Sequence, residues 1–127
     1  IDWNHQFLQE LNGELLQQSR VQLIEGDITR LVRQGEPNRY DVLLLDIDNG
    51  PMPMVTDRNK TLYSFTGLRA VHRVLKPKGR AVFWSAVPDH DFEIRLKKAG
   101  FRVDAVPAKV HPSAKRAAYM LYVADRD

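Results

Sequence analysis

Tyr40-Asp41-Val42-Leu43-Leu44-Leu45-Asp46 is the stretch on which the reading of this chain turns. Four consecutive branched apolar residues leave no polar face. The segment therefore reads as a strand buried on both sides, the habit of an inner strand in a parallel sheet. Its surroundings agree. Just upstream, Ile28, Leu31 and Val32 predict a brief helix that ends by Gly35-Glu36-Pro37-Asn38. Before that, Val21-Gln22-Leu23-Ile24 reads as a short strand closed by the turn Glu25-Gly26-Asp27. Trp3, Phe7, Leu8, Leu11 and Leu15 recur at helical spacing, so roughly 3–18 reads as an amphipathic helix, and Asp2 stands ahead of it where a carboxylate can cap free N–H groups.

Downstream, Asn49-Gly50-Pro51-Met52-Pro53 opens a loop, and Phe65, Leu68, Val71 and Leu75 set the stripe of a helix from Thr61 to Leu75. Lys76-Pro77-Lys78-Gly79 predicts a turn, and Ala81-Val82-Phe83-Trp84 a buried strand. Phe92, Leu96 and Ala99 mark a further helix, stopped at Gly100. Phe101, Val103 and Ala105, then Ala117–Ala124, are the last strands. A polar loop without a helix joins them, so they are expected to be antiparallel neighbours. Strands alternating with helices predict an α/β fold with a mostly parallel sheet covered on both sides.

The 127 residues, 43% hydrophobic and 28% charged, are one domain's worth of ordinary globular chain. Apolar runs such as Val42–Leu45 and Ala117–Ala124 are far shorter than the roughly 20 residues that span a bilayer, so no membrane partner is expected. The absence of cysteine removes disulfides and thiolate zinc sites, and fits a cytoplasmic location. Residues 1–63 hold 6 Lys/Arg against 10 Asp/Glu, whereas residues 64–127 hold 13 against 6. The basic residues, among them Arg69, Arg73, Lys76, Lys78 and Arg80, are scattered without interleaved aromatics. They read as solvated helix faces and not as a nucleic-acid surface.

In open sheets of this type, ligands sit at the carboxyl ends of the strands. Those ends carry Gly26-Asp27, Asp46-Ile47-Asp48-Asn49 and Ser85-Ala86. A rim of carboxylates suits hydroxyls and amines, whereas phosphate wants backbone N–H groups and Lys/Arg. No Gly-rich phosphate loop occurs, no histidines stand at metal-ligand spacing (His72 and His90 read as surface residues), and neither Ser64 nor Ser85 lies in a nucleophile elbow. No metal is expected. Asp46 and Asp48 are the sharp feature: alternation puts both on one side of the extended chain, where two carboxylates can share a cation or split their pKa values so that one is a base. The bland reading makes one a loop cap and the other solvated. Asp27 is equally readable as a simple turn residue.

Taken in order, Asp2, Val21–Asp27, Tyr40–Asp46, Leu62-Tyr63-Ser64 and Leu75-Lys76-Pro77-Lys78-Gly79 resemble the spermidine synthase-like branch of the class I S-adenosylmethionine-dependent methyltransferase superfamily. The resemblance implies a Rossmann-like sheet of order 3-2-1-4-5-7-6 with an antiparallel last strand, of which this chain holds the third to seventh. It implies S-adenosylmethionine or its decarboxylated form as cofactor. Asp27 would meet the adenine amino group and Ile28 its ring, with Asp2 beside the ribose. Asp46 would border the cofactor, face the acceptor and help remove its proton, with Asp48 or Tyr63 assisting and Asn49 and Tyr63 at the substrate. Asn49 stands where the synthases carry the second Asp of Asp-x-x-Asp, and His111-Pro112-Ser113-Ala114 stands where they carry Tyr-Pro-Ser-Gly.

The first strand and its Gly-rich turn are absent from this chain, and the chain opens on Ile1. Residues 1–127 are therefore expected to be the C-terminal part of a single domain. The implied activity is transfer of a methyl or aminopropyl group to a small-molecule acceptor, an amine or another nucleophile. Exposed sheet edges would also allow a homo-oligomer. A non-catalytic paralogue serving as a binding or assembly module is the competing reading, and a nicotinamide-dependent Rossmann enzyme is a third.

Overall fold

A computed structural model describes residues 2–13, 15–47, 61–109, 111, 113, 115 and 117–127. Two short helices, α1 (Asp2–Phe7) and α2 (Gln9–Asn12), and a 3₁₀ turn (Leu15–Gln17) precede α3 (Ile28–Gln34) and β1 (Tyr40–Leu45). Then come α4 (Phe65–Val74), β2 (Leu75–Ser85), α5 (His90–Lys98), β3 (Arg102–Ala108) and β4 (Tyr119–Asp125). The sheet order is β1-β2-β4-β3. β1 pairs parallel with β2, and β4 runs antiparallel to both β2 and β3. Three strands thus point one way and the last one back, with the final two antiparallel as the helix-free connection predicts.

The core lies on one face. Leu45, Ala81, Phe83, Tyr122 and Ala124 from the sheet meet Val32 of α3, Leu68 and Val71 of α4, and Phe92 and Leu96 of α5 in one buried cluster. At its centre Phe92 stands edge-on to Phe83 (5.3 Å between centroids) and to Tyr122 (5.2 Å). Such pairs add about 0.5–1.5 kcal/mol to the burial of their area. The Tyr122 hydroxyl donates to the Asp89 carbonyl and accepts from the Asp89 N–H, while the Asp89 carboxylate caps α5 at the N–H of Phe92. That carboxylate satisfies one of the orphan donors at the helix start. The helix ends at Gly100 with φ +102°, a conformation that suits glycine.

Several sequence expectations fail, each for a physical reason. Val21–Ile24 forms no strand: Val21, Leu23 and Ile24 are exposed and pair with nothing in the sheet. A strand needs a partner ladder, and among the described residues none lies beside this segment. The helix over 3–18 is broken into α1, α2 and the 3₁₀ turn, with Phe7, Leu11 and Leu15 exposed. An amphipathic stripe without a surface to bury against does not hold a long helix. The helix from Thr61 to Leu75 is interrupted at Ser64, whose hydroxyl donates to the Thr61 carbonyl and accepts from the Gly67 N–H, so α4 begins at Phe65. The turn at Lys76–Gly79 survives as an irregularity inside β2: the register jumps from Leu75 to Arg80, and Lys78 takes φ +66°. His72 is half-buried against the Phe101 ring, not a surface residue, and burial together with Arg126 and Arg69 pushes its pKa down.

The basic half is also more structural than solvated faces would make it. Arg73 donates to the Val32 and Arg33 carbonyls at the end of α3, and Arg69 to the Ala99 carbonyl at the end of α5. Arg126 reaches the His72, Arg73 and Leu75 carbonyls at the end of α4. Cations there meet both the unpaired carbonyls and the negative end of the helix dipole.

The other sheet face carries Val42, Leu44, Val82, Trp84, Leu121, Val123 and Val106, all partly or fully exposed. The expected cover on both sides is therefore found on one side among the described residues.

Below this face, Arg80 and Arg102 grip Asp125 at 2.6–3.0 Å and hold its carboxyl below the ordinary value of 3.8. A depressed folded-state pKa stabilises above the unfolded value and is lost as pH falls through the folded one. Urea titration should accordingly show Asp125→Asn less stable than wild type at pH 7, with the gap narrowing as pH falls below the unfolded value and through the folded one. A gap that stays equal as pH falls would contradict the assignment.

Candidate functional site

β1 carries its chain to the carboxyl end of the sheet, where Leu45, 4% exposed, is the last paired residue and lies opposite Phe83. Asp46 follows, exposed, with no side-chain partner among the described residues. Alternation explains the reversal: Leu45 points into the core, so the next side chain points away. Ile47 turns back and packs against the core. Its carbonyl accepts the Tyr63 hydroxyl at 3.0 Å. Tyr63 is buried, its ring edge-on to Phe92 and tilted on Phe83. Asp48 and Asn49 lie outside the described residues, so the expected Asp46/Asp48 pair is represented by Asp46 alone.

Asp27 stands at the start of α3. Its Oδ1 accepts from the N–H groups of Thr29 (2.8 Å) and Arg30 (3.3 Å), which makes it the helix N-cap. Its other carboxylate oxygen has no partner among the described residues. Ile28 is half-buried and packs against the core. Asp27, Thr29, Arg30, Arg33, Gln34 and Thr61 line a cleft of about 540 Å³. Asp46 is not among its lining residues, and Asp2 lies exposed in the first turn of α1.

The cleft corrects the expectation of a carboxylate rim. Arg30 and Arg33 share it with Asp27, and Arg30 is steadied by its Nε donating to Gln34 Oε1 at 3.1 Å. Their signal was present in the sequence as two arginines three apart beside an Asp cap, a spacing that puts both on one helix face. One carboxylate and two guanidiniums suit a ligand with both a donor group and an anionic or carbonyl group. A second cleft of about 370 Å³, at the start of β1, is lined by Asp41, Lys78, Arg80, Arg102, Asp125 and Arg126 among others. Its charges are largely spent on each other and on the α4 terminus. Among the described residues, no group of three or more His, Asp or Glu could hold a metal ion, and no helix is long and apolar enough to cross a membrane.

No protein-family model matches the sequence, and no curated protein aligns with it significantly. Solved structures do match in fold. A spermidine synthase in complex with the transition state analogue AdoDATO superposes with TM-score 0.67 at 18% identity, covering 100% of this chain and 43% of that one. The spermidine synthase of Thermotoga maritima gives 0.64 at 18% identity, covering 100% and 42%. A TehB-like SAM-dependent methyltransferase of Corynebacterium glutamicum gives 0.57 at 18% identity, covering 84% and 57%. The chain thus spans between 42% and 57% of the length of these three. Its β1-β2-β4-β3 sheet, with three strands aligned and the last reversed, has the Rossmann-like architecture of SAM-dependent methyltransferases and spermidine synthases.

Proposed function

We propose that this chain belongs to a cytoplasmic S-adenosylmethionine-dependent transferase of the spermidine synthase-like kind. It would move a methyl or aminopropyl group to a small-molecule acceptor, an amine or another nucleophile. The observation that carries the reading is Asp46: an exposed carboxylate at the carboxyl end of the buried strand β1, in a sheet whose neighbours are transferases of this type. The sulfonium cofactor supplies the electrophilic carbon. The chain's own residues bind and orient. Asp27, through the oxygen left over from capping α3, is placed to accept from an exocyclic amine, and Ile28 offers it an apolar neighbour. Asp46 orients the acceptor or takes its proton, as a positioned carboxylate can. Asp48, Asn49 and Asp2 keep the acceptor-side and ribose-side roles that the resemblance gives them.

We further infer that residues 1–127 are the C-terminal part of one domain of a longer chain. The two edges of the sheet differ in kind. β3 carries Arg102, Asp104 and Pro107, the charges and proline that blunt a true edge. The centre of β1 is Val42-Leu43-Leu44-Leu45, with nothing to discourage a further strand. Leu44 is 76% exposed there, the state of an inner strand without its neighbour. Association of two copies through this edge is the homo-oligomer alternative. The non-catalytic module remains the competing function, favoured by the use of Asp27 as a helix cap.

Titration calorimetry of the full-length protein with S-adenosylmethionine, its decarboxylated form and NAD separates these readings. Binding of either sulfonium compound and not of NAD is expected, and binding of none would leave the module. Asp46→Asn should cut turnover by roughly 10²–10⁴ if the carboxylate is a base; survival within a few-fold overturns that role. Asp27→Asn isolates the nucleoside role, because Asn caps a helix about as well as Asp. The thermal midpoint should stay put while sulfonium affinity drops; unchanged affinity would reduce Asp27 to its cap.

A further inference from the structure

Tyr63 is a tyrosine where packing alone would be served by phenylalanine. Its ring is 3% exposed and is wedged between Phe83 and Phe92, with centroids 6.2 and 5.5 Å away. A buried phenol hydroxyl needs a partner. This one donates to the carbonyl of Ile47, 16 residues earlier in the chain. The choice of acceptor matters because of where the sheet stops. The ladder between β1 and β2 ends at Leu45 opposite Phe83, so the backbone beyond it has left the strand. Asp46 is the single residue between two fixed points, Leu45 held by β2 and Ile47 held by Tyr63. Both holds run through Phe83, which faces Leu45 across the ladder and touches the Tyr63 ring. The result is a closed loop of contacts around one exposed carboxylate.

We infer that Tyr63 is a positioning residue for Asp46: its hydroxyl fixes the backbone as it leaves β1, so that the carboxylate is presented at a set point and does not fray with the strand end. The buried ring gives Tyr63 a role exerted through Asp46 and not by touching an acceptor. The geometry stands on the structure alone; its consequence for catalysis rests on the role proposed above for Asp46.

Tyr63→Phe keeps the ring and deletes the hydroxyl, and Phe83→Leu serves as a packing control. Residue-resolved NMR on the full-length protein reads the outcome. In Tyr63→Phe the Asp46 and Ile47 amides should exchange about tenfold faster, the scale set by losing one buried hydrogen bond. The Asp46 carboxyl carbon signal should broaden or split, while Val42–Leu44 exchange as in wild type. Phe83→Leu should instead speed exchange along all of β1. A uniform effect in Tyr63→Phe, or none at Asp46 and Ile47, overturns the inference. Kinetics on the same proteins carries the functional arm, with turnover expected to fall about fivefold in Tyr63→Phe, and calorimetry reads whether S-adenosylmethionine binds. A wild-type chain that binds no S-adenosylmethionine, yet shows the local exchange effect, overturns the transferase reading and supports the positioning role.

Discussion

The candidate site depends on one lateral contact, the parallel pairing of β1 with β2 from Val42 opposite Arg80 to Leu45 opposite Phe83. Among the described residues β1 has no other strand beside it, and only one of its faces is covered. Everything that places Asp46 passes through that ladder. Phe83 transmits the position of β2 to Leu45, and through its contact with Tyr63 to the Ile47 carbonyl. Phe92 and Tyr122 hold Phe83 in turn, and Tyr122 ties the sheet to the start of α5 through Asp89. A core on one face of a sheet thereby fixes a carboxylate at its end, while the opposite face and the β1 edge stay open.

Electrostatics completes the frame at the other end of the sheet. Arg69, Arg73 and Arg126 each close the carbonyl end of a different helix, and Arg80 and Arg102 share Asp125. Hydrogen bonds of charged donors are the stronger kind, and these sit where helix dipoles need them. The basic surplus of residues 64–127 is thus largely consumed inside the molecule.

What the sequence disclosed and what it hid divide along the range of the interactions. β1 was legible because its apolar run is its own signal. The α5 terminus was legible because Gly100 marks it locally. The antiparallel pair followed from the missing helix between β3 and β4. Val21–Ile24 misled because the same apolar residues make a strand only beside a partner ladder, which no local pattern reports. Ser64 was hidden inside a continuous apolar stripe, although its cap on Gly67 sits at the usual capping distance. At the site, Asp46 was nameable from its place at a strand end, and Asp27 from its place after an apolar run that forms no strand. The second duty of Asp27 as a helix cap, the guanidiniums of Arg30 and Arg33 beside it, and the reach of Tyr63 to Ile47 all needed three dimensions.

The central proposal is that the start of α3 and the carboxyl end of β1 face one transferase site, Asp27 on its nucleoside side and Asp46 on its acceptor side. The most direct measurement is a chemical-shift map of the protein as S-adenosylmethionine is added. The account predicts saturable shifts at Asp27, Ile28, Asp46 and Ile47, with Lys78, Arg80 and Asp125 at the far end of the sheet unmoved. Shifts confined to that far cleft, or none at Asp27 and Asp46 together, would contradict it.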